Sequence, residues 1–442
     1  MDESSEVHMQ YSLDQHREDF TLALDPRMPV APASLEETGL ELSFMLRLAA
    51  KCATEQDTVT PAHLATRMKL PKVLINLLIK ELVKLAFLEA RGLAGEDVKS
   101  DIRYALSMKG LEYAHAALRQ SQYIGPAPVS LDAFCRQIKL QSIHDERVTY
   151  PHLIESLEGL VLSQALIEKL GPAMNSGLSI LLYGPPGNGK TSIAERTSRL
   201  FRQTIWVPYA IEVGGHVISF YDEAVHQPVA VATEKPYPKV DQRWIECRRP
   251  VIKTGGELTL DLLDLTFSQG STVYEAPMHL KASGGVFIID DFGRQQVAPQ
   301  ALINRWIVPL ERGYDFLTLH TGKKFKVPFD ELVVFSTNIA PRELSDEAGL
   351  RRLKYKIYVN NPSREEYIRI FEAYARTVAI EMNYDDLGLF YDRKYNFKLP
   401  ASCYHPKYLL DFIGAYCEFN TVPKVASLEM LERAWDGVFT LD

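Results

Sequence analysis

Apolar residues recur every three or four positions over ELSFMLRLAAKCA, TPAHLATRMKL and PKVLINLLIKELVKLAF, a spacing that predicts three successive helices. In the second, Thr60 is placed as N-cap and Pro61 at the first helical position, where its missing N–H costs no hydrogen bond. Two short β-patterned runs follow, FLEARG and IRYALS, and then another helical pattern, SMKGLEYAHAALRQ. From about residue 150 to 360 the texture changes. Apolar runs such as LSILLY, VFII and LVVFST alternate with helical stretches, which predicts an α/β fold built on a parallel sheet. Beyond Pro362 the segments SREEYIRIFEAYARTVAIEM, YLLDFIGAYCEF and SLEMLERAWDGVF predict an all-helical end.

These changes of pattern divide the chain into a polar arm (1–40), a helical module closed by two strands (41–122), a linker and helix (123–150), an α/β subdomain (151–361) and a helical subdomain (362–442). The order of elements in the second part resembles a winged helix-turn-helix. SQYIGPAPVS, residues 121–130, carries Gly125, Pro126 and Pro128 and predicts a semi-rigid linker. Two further features interrupt the α/β region. The stretch 208–265 is too long for a plain loop and predicts a functional insertion, and DFLTLHTGKKFKV, residues 315–327, predicts a hairpin with HTGKK at its tip. At 442 residues the chain exceeds what one core fills. Its net charge of −8 gives no general attraction to nucleic acid or anionic membrane. Five cysteines lack CxxC spacing, no apolar run approaches the roughly 20 residues of a membrane span, and the acidic start MDESSEVHMQ is unlike a signal peptide, so a cytoplasmic protein without membrane partners is expected.

The chemistry concentrates at the ends of the apolar runs. LLYGPPGNGKTSIAER satisfies GxxxxGK[ST] between a predicted strand and a helix, which makes Gly184, Pro185, Pro186, Gly187, Asn188, Gly189, Lys190, Thr191 and Ser192 a candidate phosphate cradle. Lys190 would reach the outer phosphates of ATP, and the Thr191 hydroxyl is placed to ligate Mg2+. The run Val286 to Ile289 ends in Asp290 and Asp291. The first is the candidate holder of the Mg2+ water shell, the second the candidate base that orients and deprotonates water. The DFG triplet here does not indicate a protein kinase, because no HRD loop accompanies it. ELVVFSTN ends in Asn338, a neutral amide able to bond both γ-phosphate and water, and Arg351 and Arg352 follow in DEAGLRRLKYKIYV. His216, His226 and Asp222 lack further ligands at metal-binding spacing, so no metal site is expected there.

GPPGNGKT, VFIIDD, VVFSTN and the LRRL segment, in that order and ahead of a helical lid, resemble the AAA+ ATPase family over roughly residues 150–440. The resemblance implies a P-loop α/β core with a nucleotide site between large and small subdomains, completed by an arginine from the next protomer of a homo-oligomeric ring, usually a hexamer. It implies Lys190 and Thr191 as the Walker A pair, Asp290 and Asp291 as the Walker B pair, Asn338 as sensor 1 and Arg351 or Arg352 as the arginine finger. The predicted hairpin resembles the pre-sensor-1 hairpin of the group containing branch-migration motors, MoxR-like ATPases and unfoldases. Two departures stand out: Asp291 where the family usually has Glu, and Lys407, in HPKYLLD, where sensor 2 is usually Arg. The implied activity is ATP hydrolysis coupled to remodelling of a macromolecule recruited by the N-terminal module. Residues 41–120 hold 12 basic and 9 acidic residues, a net of +3 against −11 for the rest. The third helix offers only Lys72, Lys80 and Lys84 with Asn76, while Leu74, Ile75, Leu77, Leu78 and Ile79 exceed one core-facing stripe. A protein client is therefore expected, with duplex DNA as the alternative partner and a slow-hydrolysing nucleotide-controlled scaffold as the alternative function.

Overall fold

Each of the long apolar runs is a strand buried on both faces. The computed structural model describes residues 25–94, 101–177, 179–229, 240–395 and 400–439. In it the strands Tyr355–Tyr358, Ile180–Tyr183, Leu332–Thr337, Val286–Ile289 and Val251–Thr254 lie side by side in that order, every pairing parallel. One face packs Leu182, Ile288 and Val334 against Leu166, Leu170 and Ile193; the other packs Leu181, Phe287 and Phe335 against Leu302, Ile303 and Trp306. Helices cover both faces, so no position along these strands needs to be polar, and the runs are continuous. The register aligns Ile289 with both Thr254 and Phe335, and Thr337 with Tyr183. Tyr183, Ile289 and Thr337, the residues just before the phosphate loop, Asp290 and Asn338, thus share one edge of the sheet, where such folds bind ligands.

The insertion contributes two strands to a second sheet. Its strand order is Thr266–Ser268, Val273–Glu275, His216–Ser219, Ala210–Val213 and Val129–Ser130, with mixed directions. A separate antiparallel ribbon pairs Thr204–Pro208 with Trp244–Arg248. The uniform α/β alternation expected from 150 to 360 thus holds for the parallel sheet and not for the insertion. The predicted linker also differs from a free spacer. Ala127 and Val129 are fully buried, Val129 pairs with Ile211, and the helix Leu131–Leu140 lays Phe134 and Ile138 on the second sheet. The extended backbone that the prolines favour is kept, and burial of these apolar side chains docks the segment on the body. The hairpin forms as expected, pairing Tyr314–Thr318 with Lys324–Pro328. Its alternation puts Leu317, Phe325 and Val327 into the second sheet's core and leaves Phe316 and Lys326 outside.

The N-terminal module has the predicted elements: helices Leu42–Ala53, Pro61–Met68, Lys72–Lys84 and Met108–Gln120, with strands Leu88–Leu93 and Ile102–Leu106 paired antiparallel. Thr60 Oγ1 accepts from His63 N at 3.1 Å, the expected N-cap, and Ser107 Oγ caps the module's last helix by accepting from Gly110 N at 2.9 Å. Of the apolar residues singled out on the third helix, Leu74, Ile75, Leu78 and Ile79 are core and Leu77 is exposed. Residues 95–100 and the arm's first 24 residues lie outside the described residues. The remainder of the arm is fastened to the body: Arg243 Nη1 donates to Thr38 O at 3.1 Å and to Pro128 O at 3.3 Å, and Gln137 Nε2 donates to Arg27 O at 2.6 Å. The chain ends in helices Arg364–Thr377, Tyr384–Lys394, His405–Asn420 and Leu428–Val438, interrupted by one short strand pair, Glu381–Met382 with Val425–Ala426. Among the described residues no helix is long and apolar enough to cross a membrane.

Candidate nucleotide site

The phosphate loop leaves the sheet at Tyr183 and enters the helix Lys190–Thr197. It turns through left-handed backbone at Gly187 (φ 77°) and Gly189 (φ 80°), conformations that side chains resist. Gly187 is required for a second reason, since a Cβ there would fall 2.1 Å from the Tyr404 ring of the helical subdomain. At Gly189 a Cβ would meet nothing within 4 Å, so that side of the loop is an open cradle. Lys190 is buried and donates to Gly184 O at 2.9 Å and Pro185 O at 2.7 Å. Burial pulls its pKa down, opposed by Asp291 and Asp290.

Across the loop, Thr191 Oγ1 donates to Asp290 Oδ1 at 2.8 Å. The other carboxylate oxygen lies 3.3 Å from Lys253 Nζ, which also holds Glu195 at 2.8 Å; the hydrogen bond to Glu195 is the main reason the Lys253 pKa is raised. Asp291 adopts φ 48°, a left-handed conformation that aspartate tolerates better than most residues. Backbone bonds on either side, Asp290 N to Thr254 O at 2.8 Å and Phe292 N to Ser336 O at 2.7 Å, fix this turn and aim Asp291 into the cleft. Asn338 lies at the end of the adjacent strand.

These residues share one cavity of about 570 Å3. Gly187, Asn188, Gly189, Lys190, Thr191 and Ser192 form its floor, with Asp291, Ser336 and Asn338 at one end. At the other end Leu160, Val161 and Leu162 face Ile370, Ala373, Tyr374 and Thr377 of the first C-terminal helix. The latter four sit at helical spacings of three, one and three; in the sequence that stripe is indistinguishable from a core-facing one, which is why sequence reasoning missed it. Asn188 is buried and ties the loop to its surroundings: its Nδ2 donates to Asn361 Oδ1 at 2.7 Å and its Oδ1 accepts from Cys403 N at 3.2 Å. Nothing in the sequence distinguished it from the other loop residues.

Other predicted residues are placed elsewhere. Gly184 and Pro185 contribute carbonyls to Lys190, while Pro186 is exposed and outside the cavity lining. Lys407 is also outside it; its ammonium is 4.0 Å from Asp411 one helical turn on, and Asp411 accepts from the Tyr374 hydroxyl at 2.7 Å. Arg351 and Arg352 lie away from the lining as well. Arg352 is held within its own chain, with Nε 2.9 Å from Glu311 Oε1. The Arg351 side chain is exposed and makes no hydrogen bond or ion pair among the described residues. His226 has both ring nitrogens engaged, with Asp222 N at 3.0 Å and Lys281 O at 3.0 Å, and among the described residues no group of metal-binding side chains includes it.

Residues 363–437, the helical subdomain, match a family model described as a domain of unknown function, DUF8689. No curated protein matches the chain. Among solved structures it is similar to NtrX from Brucella abortus in complex with ADP, at 14% identity and a TM-score of 0.37, covering 73% of this chain and 65% of that one, just under two thirds of its length. It is also similar to a single-substitution variant of RuvB from Thermotoga maritima, at 13% identity and a TM-score of 0.38, covering 62% of this chain and 69% of that one.

Proposed function

We propose that the chain is an AAA+ ATPase that binds ATP between its parallel sheet and helical lid, hydrolyses it within a homo-oligomeric ring, hexameric by family habit, and uses the cycle to remodel a protein client. The observation that carries this reading is the convergence of Lys190, Thr191, Asp291 and Asn338 on one cavity, with Asp290 bonded to Thr191 behind it. The loop amides and Lys190 would bind the phosphates, Lys190 exchanging its two carbonyl partners for phosphate oxygens. The Thr191 hydroxyl and the Asp290 carboxylate fit Mg2+, both oxygens being 2.8 Å apart beside the cradle. When bound, the ion supplies charge neutralisation at the phosphates. Asp291 holds the attacking water and takes its proton, while Asn338 orients it. Arg351, without a partner among the described residues where Arg352 is held by Glu311, is the better donor to a neighbouring protomer's site.

The N-terminal module is read as a winged helix that docks protein. On its third helix Val73 and Leu77 are exposed, and of its three lysines Lys72 is paired with Asp101 at 2.6 Å and Lys84 with Glu81 at 3.4 Å, so among the described residues Lys80 alone is left without an ion pair to meet a phosphate backbone. The shorter arm of Asp291 supports the alternative of a slowly hydrolysing scaffold. Steady-state turnover of the full chain, alone and with duplex DNA over a salt series, tests these readings. Turnover with no response to DNA at physiological salt is expected. Strong, salt-sensitive stimulation would favour the DNA-directed motor, and ATP binding without turnover the scaffold.

A further inference from the structure

A second cavity, of about 380 Å3, lies where the helices Leu42–Ala53 and Met108–Gln120 meet the tight Gly214–Gly215 turn of the mixed sheet. Phe44, Arg47, Leu48 and Lys51, one face of the first helix, line it together with His216 from the sheet. Lys323, at the hairpin tip, reaches the same turn: a Cβ on Gly214 would fall 2.6 Å from its Nζ. The Arg47 side chain is half-buried and makes no hydrogen bond or ion pair among the described residues, and no carboxylate pairs with Lys51 or Lys323 there either. Lys51 is 5% exposed, and its ammonium spends one donor on Ser121 O at 2.9 Å, leaving two. Burial brings its pKa down to about 8, with Arg47 reinforcing and Cys52 opposing the shift. His216 is lowered by burial and then by His320 and Lys323. Among the lining residues there is no carboxylate, and the Glu212 carboxylate on the turn accepts from Gly215 N at 2.6 Å; like charges gathered in a sheltered cleft are costly, and that cost is relieved by an anion.

We propose that this cleft is a second ligand site, taking a small phosphorylated molecule whose phosphate lies between Arg47 and Lys51, with Lys323 reaching in from the turn beside the lining, and whose apolar or planar part rests on Phe44. A guanidinium fork with two ammonium point charges suits a dianionic phosphate, and the volume falls within the roughly 300–1,000 Å3 of small-molecule sites. The hairpin bearing Lys323 ends at Pro328, and the strand leading to Asn338 begins at Leu332, so occupancy of the cleft acts on the segment that positions the water-orienting amide.

The test uses the full chain carrying Lys190→Ala, which removes competition from the phosphate loop, and calorimetric titration with inorganic phosphate, AMP and a single-stranded 12-mer. Saturable binding of AMP or phosphate is expected, weakened at least tenfold by Arg47→Gln with Lys323→Gln and only partly by Arg47→Lys. Phosphate binding as tightly as AMP identifies the free anion as the ligand, whereas tighter AMP shows that Phe44 participates. In the chain with an intact Lys190, the same paired substitution leaves ATP affinity of the first site unchanged, so failure of one site is separable from failure of the other. An unchanged melting temperature shows that the paired variant is folded. The proposal is overturned if neither probe binds saturably, if the folded paired variant binds as well as its parent, or if the 12-mer binds far tighter than AMP with a steep salt dependence.

Discussion

Among the described residues two sheets have five strands, and the parallel one carries its chemistry in plain sight. The parallel sheet is covered on both faces, its strands are unbroken apolar runs, and the residues following three of them converge on the cavity. The mixed sheet collects strands from 129 to 275, each of only two to four residues, and takes the helix Leu131–Leu140 and, from outside that range, the hairpin to complete its core. A parallel sheet concentrates strand ends at one edge and so supports a site; a mixed sheet spreads them over both edges and serves here as a platform joining the N-terminal module to the hairpin.

The contrast can be broken from either side. Asp291→Asn has the largest expected effect: turnover falls by about 10²–10⁴-fold while ATP still binds, because the acceptor for the water's proton is lost and Asp290 is spared. Parent-rate turnover in a coupled assay would mean that another group activates water. Lys190→Ala removes the one ammonium in the cradle and should weaken ATP on the order of 100-fold, about 2.7 kcal/mol by calorimetry. On the other sheet, Ile218→Ala should cost about 2–5 kcal/mol of stability in a denaturant titration and leave ATP affinity of the folded protein alone, since Ile218 is 1% exposed and remote from the cavity lining. A matching loss of affinity would show that the two sheets are not separable in function. The smallest effect is expected of Lys407→Ala, with ATP affinity within about twofold of the parent, because Lys407 faces Asp411 on an exposed surface. A tenfold loss would show that the lid rotates Lys407 to the phosphate when nucleotide binds.

The sequence was legible where a local rule decides the outcome. Thr60 and Pro61 set a helix start by their own backbone chemistry, GPPGNGKT fixes a turn, and VFIIDD is apolar up to the residue that must be charged. It was not legible where distant packing decides. Val129 joins a sheet because Ile211, more than 80 positions away, offers it an edge, and SQYIGPAPVS gives no local sign of this. The same holds for the site. Lys190, Thr191, Asp291 and Asn338, each expected from its place at a strand or helix terminus, line one cavity, whereas Leu160–Leu162 and the Ile370–Thr377 stripe, which line it too, look like ordinary core in the sequence. Lys407 was assigned by resemblance alone, and its own helix supplies the nearest carboxylate, Asp411.

The central claim, a site shared between protomers, is tested most directly by mixing. Lys190→Ala and Arg351→Ala chains should each be inactive or nearly so, the arginine variant down by up to about a thousandfold. Combined in demonstrably mixed oligomers, they should recover part of the turnover, because some interfaces then pair an intact loop with an intact Arg351. Full activity of the Arg351→Ala chain by itself, or no recovery in mixed oligomers, would contradict the account.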